Sequence, residues 1–194
     1  MKALFSQIDS ILPNQSVFII AAYHTVLLIL SIVIIGLLIG YISSALTGLL
    51  ASLTTVSIAN IIRNYLTYPG TVIHELSHVA FAAITGARIT KITLIPKGST
   101  LGSVHFIPRG NKITKGLQMT FASVAPVLSG LILIYFLINI WKHLYSPWQY
   151  VLTVYLLVCI LLHMNLSIQD IQNALRGLPC TMLILYLLFL ILSF

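Results

Sequence analysis

Long apolar runs separated by short polar breaks make up most of this chain. The first run, 17–41, would be roughly 37 Å long as a helix, enough to cross a bilayer. A second, weaker run at 44–62 is rich in Ser, Thr, Gly and Ala, the small residues that let helices approach closely in lipid. Arg63 and Asn64 end it, and Pro69-Gly70 opens a new helix predicted over 70–85, with Gly86 as its C-cap. The pattern then changes period. Residues 88–95 are β-branched and partly alternating, 97–100 carry turn residues, and 101–107 form a second short run. Together they predict a β-hairpin over 88–108, bounded by Pro96 and Pro108. Helical runs resume at 116–138, kinked near Ala125-Pro126, and at 148–164. A polar break from Asn165 to Arg176-Gly177 precedes a last run at 178–194. Trp141, Tyr145, Trp148 and Tyr150 flank the 142–147 loop as an interfacial aromatic belt.

Composition makes the class plain. Of 194 residues 59% are hydrophobic and only 7% charged, whereas a soluble domain carries about a quarter charged residues. The expected fold is an all-α polytopic membrane protein with about six hydrophobic segments, five to six of them spans, and a small β-hairpin on the cytoplasmic side. Residues 1–16 read as an interfacial tail and 17–194 as a single membrane domain. The 17–41 run is too long for a signal-peptide core and is read as an uncleaved span. Cys159 and Cys180 lie in apolar runs and read as small core residues, with no disulfide expected. His24, inside the first run, reads as a helix-packing group.

The net charge of +7 comes largely from one place. Arg88, Lys91, Lys97, Arg109, Lys112 and Lys115 all fall between the predicted motif helix and the next span. Basic residues concentrated in a short loop mark it as cytoplasmic and argue against a nucleic-acid partner. Asp170 should then arrive on the same side as the end of the motif helix.

Candidate chemistry centres on His74-Glu75-Leu76-Ser77-His78. Four residues apart on a helix, the two imidazoles leave one face and can share a zinc ion, with Glu75 placed to take a proton from water there. The only acidic residues are Asp9, Glu75 and Asp170, and a carboxylate at membrane depth is costly unless it functions. A catalytic zinc site needs a third protein ligand. Glu75 is the only Glu, so a second Glu is excluded. Asp170 or a histidine among His105, His143 and His163 remains, with Asp170 favoured by the expected topology. Asp170 could equally cap a short helix beginning at Ile171.

These residues resemble the site-2 protease family of intramembrane zinc metallopeptidases, most closely its small bacterial branch. The resemblance spans about residues 65–177. It is carried by His74-Glu75-Leu76-Ser77-His78 with Ala82, Gly86 and the hairpin, by Ala125-Pro126-Val127-Leu128-Ser129-Gly130, and by Asn165 and Asp170. Three departures mark the last element: Ile168 stands where Pro is usual, the Asn-to-Asp spacing is shorter, and Ile171 follows the Asp in place of Gly. The resemblance implies one zinc per chain held by His74, His78 and Asp170, Glu75 as the general base, and Asn165 as an oxyanion donor. It implies cleavage of peptide bonds within or next to transmembrane segments. The 88–108 hairpin offers an edge strand for an extended substrate, through Ile92, Leu94, Val104 and Phe106. Residues 165–176 should be partly re-entrant, so that Asp170 can reach back to the zinc. The expected setting is the bacterial cytoplasmic membrane, with the site toward the cytoplasm and a membrane-protein substrate as partner. Two other classes fit the composition: an inactive scaffold or adaptor of the same fold, and a metal transporter. A transporter would spread polar residues along several spans, whereas here they gather at one site.

Overall fold

The computed structural model describes residues 16–95 and 102–192. Its first helix, α1 (Val17–Leu53), runs without interruption through the predicted break near residue 42. No proline interrupts it there, and its hydroxyls find partners that keep the helix intact. Thr47 Oγ1 donates back to the Ser43 carbonyl, while Ser43 Oγ donates across to Leu162 at 2.9 Å. The 44–62 run is therefore not a separate span. Its first part extends α1, and its remainder forms the short α2 (Val56–Ile61), which a π-helical turn (Ile62–Leu66) continues.

The motif helix α3 (Tyr68–Ile84) starts with Pro69 in its first turn, where a missing N–H costs nothing. It ends as the sequence predicts. Gly86 adopts φ of 87°, a region closed to most side chains, and Ala87 N–H closes the turn on the Ala82 carbonyl at 2.8 Å. Strands β1 (Arg88–Thr93) and β2 (Ser103–Ile107) pair antiparallel, as expected. The predicted turn at 97–100 lies outside the described residues, as does the 1–16 tail apart from Ser16. The register pairs Ile89 with Phe106 and Lys91 with His105, which leaves Thr90 as a bulge.

Then follow α4 (Lys112–Trp141), α5 (Pro147–His163) and α6 (Ile168–Leu192). Asn111 caps α4 through a bond from Thr114 N–H at 2.9 Å, and a Ser146–Gln149 capping box opens α5. The last helix corrects two expectations. The polar break is only a short link after His163, and α6 passes through Arg176-Gly177 and Pro179 without stopping. No re-entrant segment is needed, because α5 already ends beside the motif histidines and α6 begins there.

Helices α4 and α6 pack antiparallel: Thr120 bonds Ala174, and Gly116 meets both Gly177 and Cys180. Glycine is required at this crossing, since a Cβ on Gly177 would run into the Gly116 carbonyl. The core is small, with Val127, Ile160 and Met164 buried under α1 residues Ile32, Ile35 and Ile39. His24 packs against Phe189 of α6, ring centroids 5.6 Å apart, in keeping with its expected packing role. Large apolar side chains such as Phe18, Leu38, Leu49, Phe136 and Leu187 face outward. Among the described residues, three helices are long and apolar enough to cross a membrane: α1, α4 and α6. α5 is apolar but has only 17 residues, as has α3. The expected five to six spans are thus not reached by length.

Candidate metal centre

Four elements meet at the motif. His74 and His78 are one turn apart on α3, their rings 4.8 Å apart at 75°. Each ring has one nitrogen committed to a backbone carbonyl. His74 Nδ1 lies 2.5 Å from the His163 carbonyl oxygen, and His78 Nδ1 lies 2.6 Å from that of Ala122. A carbonyl can only accept, so each Nδ1 carries the proton and each Nε2 presents a lone pair.

Both carbonyls are free because of local helix chemistry. Ala122 would normally receive the N–H of residue 126, but that residue is Pro126 and has none. His163 is the last residue of α5, where carbonyls lack intrahelical donors. A proline in one helix and the end of another thus supply the two acceptors that orient the imidazoles.

The two lone pairs then converge. His74 Nε2 and His78 Nε2 are 3.1 Å apart, and Asp170 Oδ1 is 3.6 Å from His78 Nε2. Donor atoms of all three residues lie within 4.8 Å of one another. Two lone pairs facing at such a distance repel unless a cation lies between them. A tetrahedral ion bonded at about 2.05 Å to its donors spaces them about 3.3 Å apart, so the residues present fit a zinc ion.

Asp170 stands in the first turn of α6, held by a reciprocal cap. Asp170 N–H donates to Ser167 Oγ at 3.1 Å, and Asp170 Oδ2 accepts from Ser167 N–H at 3.0 Å and from its hydroxyl at 2.5 Å. One carboxylate oxygen closes the capping box on Ser167 and the other faces the histidines; because the helix begins at Ile168, Asp170 is its third residue and not the N-cap of a helix starting at Ile171. Of the alternative third ligands, His163 has Nδ1 bonded to Cys159 and contributes its backbone to the site. His105 lines the neighbouring cavity outside the three-residue group, and His143 lies in the α4–α5 loop.

A cavity of about 650 Å³ opens in front of the group. Glu75, 6% exposed, forms part of its wall, and the backbone of Gly102 lies directly against it. A Cβ on Gly102 would sit 2.7 Å from Glu75 Cγ. β2 lines the cavity with consecutive residues, Ser103, Val104, His105 and Phe106. A strand seen face-on would offer alternate residues, so β2 presents its edge. Val104 and Phe106 are therefore at the cavity as expected. Ile92 pairs with Val104 but, like Leu94, is absent from the lining, because β1 lies behind β2. Asn165 is absent from it too. It sits in the α5–α6 link turned toward α1, where a Cβ on Gly40 would lie 3.4 Å from Asn165 Cβ. Gln169, Asn173 and Arg176 of α6 occupy the opposite wall.

Sequence reasoning missed Gln118. This buried side chain donates to the Thr85 and Arg109 carbonyls and accepts from Arg109 N–H at 2.7 Å. It ties the end of α3 to the exit of the hairpin, fixing β2 relative to the motif. An amide in an otherwise apolar run was the available signal.

No curated protein and no solved structure matches the chain. The sequence model of the family described as Peptidase M50B-like matches residues 45–194, which include the motif, the hairpin, Pro126 and Asp170. The chain belongs to this family of site-2-protease-like metallopeptidases.

Proposed function

We propose that the protein is an intramembrane zinc endopeptidase that hydrolyses peptide bonds within or next to transmembrane segments of other membrane proteins. The observation that carries this reading is the convergence of His74 Nε2, His78 Nε2 and Asp170 Oδ1 beside the Glu75 carboxylate. His74, His78 and Asp170 would hold one zinc, which supplies Lewis-acid polarisation of a carbonyl and a water that ionises near neutral pH.

The remaining work falls to the chain's own groups. The Ala122 and His163 carbonyls hold both imidazoles in the ligating tautomer. Glu75 accepts a proton from the attacking water and returns it to the departing amine. A substrate helix must unwind first, because its carbonyls are engaged within the helix. The free edge of β2 can receive the unwound segment by strand addition, with Val104 and Phe106 contacting its side chains. Asn165 has no part in this reading, and Gln169 and Asn173 are the amides facing the cavity. The basic residues from Arg88 to Lys115 support a cytoplasmic hairpin, with the enzyme in a bacterial cytoplasmic membrane.

The test is cleavage of a tagged single-span reporter, carrying a Gly-Pro break, by zinc-loaded protein in lipid vesicles. Glu75→Gln should lower the rate about 10²- to 10⁴-fold while zinc content stays unchanged. Equal cleavage by both proteins would overturn the proposal.

A further inference from the structure

Arg176 stands in the cavity wall on the same α6 stripe as Gln169 and Asn173, at i, i+4 and i+7. Among the described residues it is the only Lys or Arg that lines the cavity. Of the chain's three acidic residues, Asp170 uses one oxygen on Ser167 and turns the other to His78, and Glu75 lines the same cavity beside Gly102 without an ion pair to Arg176. Asp9 lies outside the described residues. Among the described residues, no ion pair involves Arg176.

Resting on the protease reading, we propose that Arg176 is a specificity subsite that binds a carboxylate of the substrate, an acidic side chain or a chain end. Arg176 follows Asp170 by six residues, about 9 Å along the helix. An extended peptide advances about 3.3 Å per residue, so the carboxylate belongs two or three residues from the scissile bond. The edge of β2 across the cavity holds such a peptide extended, which gives the guanidinium a fixed register to read. A guanidinium accepts a carboxylate through two parallel N–H···O bonds, and an amide in its place cannot match them.

The experiment uses a set of extended apolar peptides with a single Glu, or Gln at the same place, moved through each position around the cleavage point. Their affinities are measured on zinc-loaded Glu75→Gln protein in zwitterionic nanodiscs, so that no turnover is needed. Glu should bind ten-fold or more tighter than Gln at one position two or three residues from the cleavage point. Arg176→Gln should bring that ratio to about one, and Arg176→Lys should keep part of it. The proposal is overturned if Glu and Gln bind alike at every position, if the preference survives in Arg176→Gln, or if no peptide binds. It is equally overturned if Arg176→Gln changes only the retention of anionic phospholipid in nanodiscs that contain it, which would make the anion a headgroup. Cleavage of the same peptides by the unmutated protein separates the two readings. Binding with the Glu preference but no cleavage would sink the protease and leave the subsite. Cleavage with no Glu preference would do the reverse.

Discussion

His78 Nδ1 lies 2.6 Å from the carbonyl oxygen of Ala122, the carbonyl that Pro126 leaves without a helical donor. Alanine at position 126 would restore an N–H aimed at that oxygen, and the imidazole would have to share its acceptor. Pro126→Ala should therefore weaken zinc binding about 10- to 100-fold. Helix α4 should remain intact, since proline is the residue a helix interior least favours. Competition with a chromophoric chelator measures the first effect and circular dichroism checks the second. Unchanged zinc affinity would show that His78 needs no such orientation.

Two glycine substitutions should differ in their effect on stability. A Cβ at Gly70 would strike the Cys159 carbonyl and the His163 ring, where α3 crosses α5. Gly70→Ala should destabilise by at least about 1–3 kcal/mol, because backbone cannot move aside as a flexible side chain does. At Gly48 in α1 nothing lies within 4 Å of a Cβ. Gly48→Ala should be neutral or stabilising by about 0.5–1 kcal/mol. Thermal unfolding in one detergent compares them, and equal shifts would contradict the packing described for α3 and α5.

His163 is 3% exposed and adjoins His74, yet it serves the site through its backbone oxygen. His163→Ala should keep about one zinc per chain while lowering the melting temperature, since it empties a buried site. His105→Ala and His143→Ala should also keep the zinc. Loss of zinc in any of the three, with the fold retained, would reassign the ligand set.

Much of the site was legible because it rests on local periodicity. His74 and His78 share a face at any helical i, i+4 spacing, and Gly86 marks the end of their helix. Asp170 was one of four candidates that elimination left, favoured by the expected topology and the family resemblance, and its place beside the histidines depends on how α6 packs. The register of Asn165 was not legible. Its place depends on where α6 begins, and Ser167 starts that helix early enough to turn Asn165 toward α1. Helix α1 passed its predicted break because Ser43 and Thr47 bond to carbonyls, one of them 119 residues away, which no local pattern reveals. Strand β1 could not be told from β2 as the cavity edge, because alternation names faces and says nothing of order. Gln118 and Arg176 gained meaning only once the hairpin and α6 were placed around one cavity.

Metal content decides whether His74, His78 and Asp170 together form a zinc site. Zinc per chain is measured on detergent-purified protein, unmutated and as Asp170→Ala, with helicity monitored in both. About one zinc in the first and a large loss in the second, with helicity retained, is the predicted result. Full zinc in Asp170→Ala, or none in the unmutated protein after zinc has been supplied, would contradict it.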